Sequence, residues 1–320
     1  VLNLPGAWFA ALVFAWHPLQ TESVSWVTQI KNVQSMFFYL AAAFYYFKYD
    51  LRGGTWRLGL SLFFFLLALL SKTAVVMFPV VLLLYHWTLK PLPIKKIAQR
   101  TGPFFAMSLV FGLVTIWFQY TSAGASGKEW SLTFIERTVN AGSVIWFYVQ
   151  KLFIPIDLAF IYPRWNLNPE VRTSWIPHFM LVIVLFLVVY FRKRWGVYPV
   201  FAIGYYLVSL FPVMGFLNIY FLIYSFVADH YQYIAGQGII ALTVCGAFSK
   251  TNQLLAKFPK NIFLKYGSAA TGITILFVLA FLTWNQQGIY QNPIALWKDT
   301  IEKTPSAWIA HNNLGNEYSR

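Results

Sequence analysis

Residues 195–228 carry no charged side chain and decide the fold; they read WGVYPVFAIGYYLVSLFPVMGFLNIYFLIYSFVA. A membrane-spanning helix needs about 20 apolar residues, so this stretch can hold one tilted helix and a partial return. The whole chain agrees with this interpretation, because 58% of its 320 residues are hydrophobic, only 11% are charged and its mean hydropathy is +0.57. Charged residues make up about a quarter of an ordinary soluble domain. Composition therefore excludes that class and predicts a multi-pass membrane protein.

Other charge-free stretches set the domain organisation. We predict an all-α, polytopic membrane helical bundle over residues 1–284, followed by an external linker and one further helix over 285–320. The segment near 138–154 is short for a span and carries Asn140 and Gln150, so we interpret it as re-entrant or interface-lying. The predicted spans are 1–21, 32–47, 58–71, 73–89, 101–127, 173–191, 195–228, 231–249 and 266–284.

The basic residues orient this bundle. Short cytoplasmic loops carry an excess of Lys and Arg, and one orientation places 14 of the 24 basic residues there with a single acid, Asp50. This holds only if 138–154 does not cross the membrane. The net charge of +14 is then a topology signal, which argues against a nucleic-acid partner. The C-terminal tail falls on the periplasmic or lumenal side. The cytoplasmic basic residues would be Lys48, Arg52, Arg57, Lys90, Lys95, Lys96, Arg100, Arg192, Lys193, Arg194, Lys250, Lys257, Lys260 and Lys265.

The ends of the chain and its cysteine content add two expectations. The sequence starts at Val1 without Met, lacks a signal-peptide pattern and ends inside a motif, so we expect it to be part of a longer protein. The single cysteine, Cys245, excludes an internal disulfide. It lies in an apolar stretch, where we expect it to be an inert packing residue.

The first polar cluster follows the first apolar stretch. His17 and Pro18 end that stretch, and Thr21-Glu22-Ser23 opens the next helix with an acid where the helix dipole favours it. One interpretation is a capped helix entrance. The other assigns His17 and Glu22 to a polar site at the membrane surface, because charged groups between two spans are costly unless they are used.

Lys72 lies in a short polar break between two apolar segments. With the Thr73 hydroxyl and the free N–H groups of the following helix, this cation can bind a phosphate. An equally good interpretation is a Lys that extends to the membrane interface as an anchor.

The stretch from Lys151 to Trp165 contains two prolines and many aromatic residues, so it cannot be a regular helix. Tyr162, Arg164 and Trp165 would suit a sugar ring and a phosphate, whereas the same composition also suits a loop in the headgroup layer.

Asp229 and His230 open another external segment. Neighbouring residues point in different directions on a helix, so these two alone do not predict a shared metal. Asp229 would either cap a helix or line a site.

The external tail contains Leu314-Gly315 and, three residues later, Tyr318. This spacing matches the opening helix of a tetratricopeptide repeat. One such helix cannot bury its own apolar face, so we expect further repeats after Arg320.

Taken in chain order, these motifs resemble the transmembrane and tetratricopeptide-repeat family, which includes animal O-mannosyltransferases of the endoplasmic reticulum and many bacterial relatives. The sequence of residues 229–233 looks closer to that of the bacterial branch. The resemblance covers almost the whole chain. It rests on His17-Pro18, Thr21-Glu22-Ser23-Val24, Trp26, Lys31-Asn32, Leu70-Ser71-Lys72, Tyr162-Pro163, Asp229-His230-Tyr231, Tyr233 and Asn313-Leu314-Gly315.

The resemblance implies a glycosyltransferase-C fold with its active site on the periplasmic or lumenal face. The donor would be a polyprenyl-phosphate-linked sugar, and the repeats would present a protein acceptor. The family's acidic general base precedes the helix with which this chain starts, so we expect the catalytic base upstream of Val1 and no activity from these 320 residues alone. Ile30 and His86 depart from the residues common in relatives.

We therefore expect a membrane glycosyltransferase of the bacterial cytoplasmic membrane, or of the endoplasmic reticulum in a eukaryote. His17, Glu22, Asp229 and His230 would line the sugar or acceptor site. Lys72 and Arg164 would neutralise the donor phosphate, and Tyr162 and Trp165 would pack the sugar or lipid. No metal ligands are assigned, and a divalent metal stays open. The alternatives are a non-catalytic anchor that displays repeats and a lipid-linked sugar transporter.

Overall fold

The computed structural model describes residues 4–125, 127 and 130–320, which fold into α-helices and short 3₁₀ turns. No strand occurs in this part of the chain, which confirms the all-α prediction. The α-helices are α1 (Ala7–Ala15), α2 (Thr21–Ser25), α3 (Ile30–Arg52), α4 (Thr55–Ser71), α5 (Phe78–Thr88), α6 (Ile94–Thr121), α7 (Phe134–Phe153), α8 (Ile176–Tyr190), α9 (Arg192–Trp195), α10 (Tyr198–Leu210), α11 (Gly236–Lys257), α12 (Ile262–Gln287), α13 (Pro293–Lys303) and α14 (Trp308–Tyr318).

Several helices have the length and composition of membrane spans. Four described segments are long and apolar enough to cross a bilayer: Ile94–Thr121, Arg172–Tyr190, Gly236–Lys257 and Ile262–Tyr290. Shorter apolar helices cover Thr55–Ser71, Thr73–Thr88 and Tyr198–Val213. A membrane protein is compatible with this set, and the predicted number of nine spans stays a prediction.

The first predicted span differs from the structure. Within residues 4–20, which the structure describes, the α-helix covers Ala7–Ala15 alone, and nine residues are too few for the roughly 20 of a full span. The helix stops because Pro18 cannot continue it, and His17 caps the 3₁₀ turn that follows. The first three residues lie outside the described part of the chain. Residues 17–23, five of which are polar, consequently lie buried among neighbouring helices.

Helices α3 to α6 pack around an aromatic core. Tyr46, Phe65, Phe78 and Phe104 are each at most 2% exposed, and their rings meet with centroids 5.1 to 5.8 Å apart. The alternation of large rings with small residues lets α3 and α4 run side by side after the turn at Gly53–Gly54. Large rings that interlock in this way hold the helices in one arrangement.

One end of this four-helix unit is closed by an ionic network. Asp50 accepts hydrogen bonds from Arg100 at 2.6 Å and from the Tyr85 hydroxyl at 2.9 Å. The basic ends of α3 and α6 therefore lie together, as the charge pattern predicts. Lys72 and the polar motifs lie at the opposite helix ends.

The segment predicted to be re-entrant is a single continuous helix. A capping box starts α7: the Thr133 hydroxyl accepts from the Glu136 N–H at 3.2 Å, and the Glu136 carboxylate accepts from the Thr133 N–H at 2.7 Å. Buried Asn140 then donates to the Met214 carbonyl at 3.1 Å. The helix does not return on itself within its 20 residues, and its position relative to a bilayer stays a prediction.

The stretch 195–228 divides into one helix and an irregular end. Helix α10 stops at Leu210 before Pro212, and short 3₁₀ turns continue to Ile223. A Cβ atom on Gly238 would lie 2.7 Å from the Ala202 carbonyl, so this glycine permits the close approach of α10 and α11. The predicted partial return is thus a chain of turns, which leads directly into Asp229–Gln232.

The tail packs against the loop after α7 rather than standing apart. Helices α13 and α14 form a hairpin, and buried Trp297 and Ala310 join Ile161 in a small core. The Thr304 hydroxyl donates to the Ile161 carbonyl at 2.8 Å. A helix occurs where the repeat pattern predicts one, at Trp308–Tyr318.

Candidate functional site

Three helix entrances meet at the end of the bundle opposite Asp50. Helix α2 supplies Glu22, the break between α4 and α5 supplies Lys72, and the 3₁₀ turn Asp229–Gln232 supplies two more site residues. Glu22 and Asp229 are each 2% exposed and His230 is 7% exposed. Polar groups this deeply buried need partners, and the following contacts provide them.

Glu22 holds His230 through both carboxylate oxygens. The His230 backbone N–H donates to Oε2 at 3.0 Å, and the ring Nδ1 lies 2.6 Å from Oε1. The carboxylate is an acceptor, so the proton belongs on Nδ1. This contact joins residues 208 positions apart in the chain and fixes the ring direction.

The surroundings of His230 favour its neutral form. Burial lowers the pKa of His230, and the positive charges of Lys72 and Lys31 lower it further, while Glu22 opposes both. A neutral imidazole protonated on Nδ1 leaves Nε2 with a free lone pair. His230 also lines a small cavity that contains Lys72.

Lys72 donates through Nζ to the side-chain oxygen of Asn32. The Asn32 amide nitrogen in turn donates to the Ser23 hydroxyl at 3.2 Å and to the Gln29 side chain at 3.0 Å, which orients the amide. The Lys72 carbonyl accepts from the Ser35 hydroxyl at 3.4 Å. The ammonium group is thereby held at the rim of the cavity.

Burial is also the main influence on Lys72. It lowers the pKa of Lys72 to about 7, with a further decrease from the charge of Lys31 and an opposing effect of Glu22. The cavity beside it measures about 20 Å³, which is room for one water molecule. A negatively charged ligand would therefore restore the charge of Lys72, but the helix entrances must separate to admit it.

Asp229 has a separate partner. The Tyr162 hydroxyl donates to its Oδ1 at 2.8 Å. Burial and the nearby charge of Glu22 raise the pKa of Asp229 well above its ordinary value, and burial raises that of Tyr162. The Asp229–Tyr162 contact joins the irregular loop after α7 to the turn that carries His230.

His17 has a structural role in this arrangement. Its Nε2 lies 3.0 Å from the Leu152 carbonyl, and its Nδ1 accepts from the Leu19 N–H at 3.3 Å. Burial lowers the pKa of His17 to about 4, so the ring is neutral near pH 7. Both ring nitrogens are occupied, so His17 shapes the site without offering it a free group.

Arg164 and Trp165 lie away from Lys72. The Trp165 indole donates to the Asn140 side chain at 2.9 Å, among buried aromatic rings. Arg164 stacks on the Phe226 ring, with its guanidinium carbon 4.6 Å from the ring centroid. The two predicted phosphate-binding cations therefore line different cavities.

Arg164 and Tyr162 line an open groove of about 300 Å³ between the loop after α7 and helix α14. Its far wall carries Tyr224 and Trp308, with ring centroids 5.5 Å apart. Trp308 is 58% exposed. The groove thus combines aromatic faces, hydroxyl groups and a cation, and Tyr162 connects its floor to Asp229.

An apolar groove of about 350 Å³ follows the seam between α10 and α11. It runs from Trp195 and Ser249 to Tyr205 and Gln237. The Tyr205 hydroxyl donates to the carbonyl of Ile234 at 3.1 Å, and Ile234 lines the Lys72 cavity. The Tyr205–Ile234 contact therefore links the lining of the groove to the lining of that cavity.

Sequence reasoning missed the partners of the site residues. Asn32 and Ser35 are buried on the first turns of α3, and nothing in their spacing indicates that they would meet Lys72. Lys31-Asn32 is one of the motifs on which the family resemblance rests. The sequence does not show, however, that Asn32 bonds Lys72, which lies 40 positions further along the chain. Such contacts depend on tertiary packing.

Within residues 4–125, 127 and 130–320, no three His, Cys, Asp or Glu side chains come together as metal ligands. Buried Cys245 packs among apolar residues of α1, α11 and α12, and its thiol forms no disulfide. No family model, curated protein or solved structure matches this chain.

Proposed function

We propose that this chain forms the membrane domain of a glycosyltransferase that moves a sugar from a polyprenyl-phosphate donor to a protein or glycan hydroxyl on the periplasmic or lumenal face. The observation that carries the proposal is the meeting of Lys72, Asn32, Glu22 and His230 at one end of an apolar bundle. Such a transfer requires a cation to stabilise the leaving phosphate and a group to accept the proton of the attacking hydroxyl, and one cavity offers both.

Lys72 is the group for the donor phosphate. As the sugar leaves, negative charge grows on the lipid phosphate, and a fixed cation stabilises that charge. The Asn32 contact holds the ammonium group in place without neutralising it. A phosphate at this point would also favour the charged form of Lys72, which burial disfavours.

The groove along α10 and α11 is the place for the polyprenyl chain. Its lining is mostly apolar, and it lies on helix Gly236–Lys257, one of the four candidate spans. A chain in this groove exchanges contacts with lipid tails for contacts with protein side chains, so van der Waals packing rather than transfer from water would hold it. Tyr205 of this groove donates to the carbonyl of Ile234, which lines the Lys72 cavity, so lipid and phosphate can belong to one donor.

The groove beside Trp308 is the place for the acceptor. It opens on the tail side, and its floor residue Tyr162 is bonded to Asp229. An acceptor held here would approach the cavity from the opposite direction to the lipid. Repeats that continue from α14 would extend the same surface toward a protein acceptor.

The two rival functions fit these observations less well. An anchor for repeats needs one span, and it gives no reason to bury Glu22, Asp229 and His230 at one end of the bundle. A transporter moves its substrate through the bilayer and places charged residues near the midplane. In the described bundle Lys72, Glu22 and Asp229 lie at helix entrances.

The test is sugar transfer by the full-length protein in membranes supplied with a radiolabelled polyprenyl-phosphate sugar and a hydroxyl acceptor. Lys72→Ala should lower kcat by the 10²- to 10³-fold typical of a lost charge-stabilising group. Lys260→Ala, which changes an exposed lysine at the opposite end, is the matched control. Full activity of Lys72→Ala would refute the donor site.

A further inference from the structure

His230 is presented to the cavity in an unusual way. Its Nδ1 and its backbone N–H both face Glu22, at 2.6 Å and 3.0 Å. No partner holds Nε2 in the described part of the chain, although the residue lines the same small cavity as Lys72 and Asn32. The ring therefore has one nitrogen fixed by a carboxylate and one that no described residue occupies.

From this geometry we propose that His230, oriented by Glu22, is the proton acceptor for the attacking hydroxyl. The inference rests on the proposed function and departs from the sequence-based expectation of a base upstream of Val1. A carboxylate that fixes the tautomer and direction of an imidazole is a recurrent way to prepare a general base. Here both members belong to the chain itself.

The transfer step requires the helix entrances to separate, because the cavity of about 20 Å³ holds only one water molecule. The acceptor O–H proton passes to His230 Nε2 while the acceptor oxygen bonds to the anomeric carbon. The bond between that carbon and the phosphate oxygen breaks, and the electron pair leaves with the lipid phosphate. Lys72 stabilises the phosphate charge, and Glu22 stabilises the imidazolium. His230 then releases its proton to solvent when the products depart.

Several charged and titratable groups influence the ring. Lys72 and Lys31 disfavour its protonation, whereas Glu22 favours it. Asp229 precedes it in the chain and is bonded to Tyr162, and the Tyr231 ring lies 4.5 Å from the imidazole between centroids. A neutral imidazole with an adjacent carboxylate is suited to accept one proton transiently.

Glu22 also anchors the turn Asp229–Gln232, so loss of activity alone would not separate catalysis from folding. His230→Ala keeps the backbone N–H that donates to Glu22 and removes only the ring. It also leaves a space in which free imidazole can bind. The variant therefore tests the base while the anchor remains.

The experiment measures transfer by full-length His230→Ala with increasing imidazole and with weaker bases such as 4-nitroimidazole. We expect a loss of 10²- to 10⁴-fold, as is typical for a general base. Imidazole should restore at least tenfold, and the rescue should grow with the basicity of the added compound. His311→Ala, an exposed histidine of α14, should neither lose activity nor respond.

Glu22→Gln supplies the second readout. Because Glu22 raises the pKa of His230, its loss should move the acidic limb of the kcat/KM profile to lower pH and reduce the maximum rate. This inference would be overturned, and the proposed function left standing, by three results together. The wild type would be active, imidazole would not rescue His230→Ala, and the acidic limb of the kcat/KM profile would not move in Glu22→Gln. Absence of transfer by the wild type would instead refute the proposed function.

Discussion

Donor binding should depend on pH through Lys72. Burial and the Lys31 charge lower the pKa of the free Lys72 ammonium to about 7, whereas an ordinary lysine titrates at 10.5. A bound phosphate favours the charged form and raises this pKa in the complex. Binding should therefore be strongest below pH 7 and weaken as pH rises above it.

The magnitude follows from proton linkage. Above the pKa of the free site, each pH unit should lower the affinity by up to about tenfold, until the pH reaches the pKa of the complex. The donor is a phosphodiester, whose charge is constant over this range. His230 titrates below its ordinary pKa of 6.5, so it does not contribute between pH 7 and 9.

The assay is equilibrium binding of a polyprenyl-phosphate sugar to the full-length protein in lipid nanodiscs between pH 6 and 9. Lys72→Met should bind about 10- to 150-fold more weakly at pH 6.5, equivalent to the 1.5 to 3 kcal/mol of a hydrogen bond to a charged group. It should also lose the pH dependence. Lys260→Met should retain both. An affinity that is constant from pH 7 to 9 in the wild type would refute the reasoning.

Three further predictions concern other parts of the structure. Tyr162→Phe leaves buried Asp229 without its donor and should lower the free energy of unfolding by about 1 to 3 kcal/mol, measured by thermal unfolding in detergent; an unchanged midpoint would contradict this. Trp308→Ala should raise the acceptor KM several-fold and leave donor affinity unaltered, while Trp56→Ala, equally exposed at the other end, should change neither; equal effects of the two would remove the acceptor groove. Gly238→Ala should force α10 and α11 apart and cost about 1 to 3 kcal/mol, seen as a lower unfolding midpoint, and a stable variant would disprove the close crossing.

The general fold could be predicted from the sequence because hydropathy acts locally. Charge-free runs mark α4, α8 and α12 well, and Asp50 bonds Arg100, two residues that the charge pattern places on the same side. The boundaries were less predictable. Helix α6 begins at Ile94, before its charge-free run, since lysines at a helix end can extend their charged heads to water.

The candidate site was only partly predictable. Glu22, Asp229 and His230 attract notice because charged residues are rare in so apolar a chain. Which of these residues bond to each other could not be predicted from the sequence. Glu22 contacts His230 across 208 positions, and Tyr162 contacts Asp229 across 67. The separation of Arg164 from Lys72 is likewise a property of how the loops pack.

The most direct test of the central claim is a cryo-electron microscopy structure of the full-length protein with a non-transferable polyprenyl-phosphate sugar. Our account predicts the phosphate within hydrogen-bonding distance of Lys72 Nζ, the lipid along α10 and α11, and His230 Nε2 facing the sugar. A phosphate bound elsewhere, with the Lys72–Asn32 contact intact and the groove filled by ordinary lipid, would contradict it.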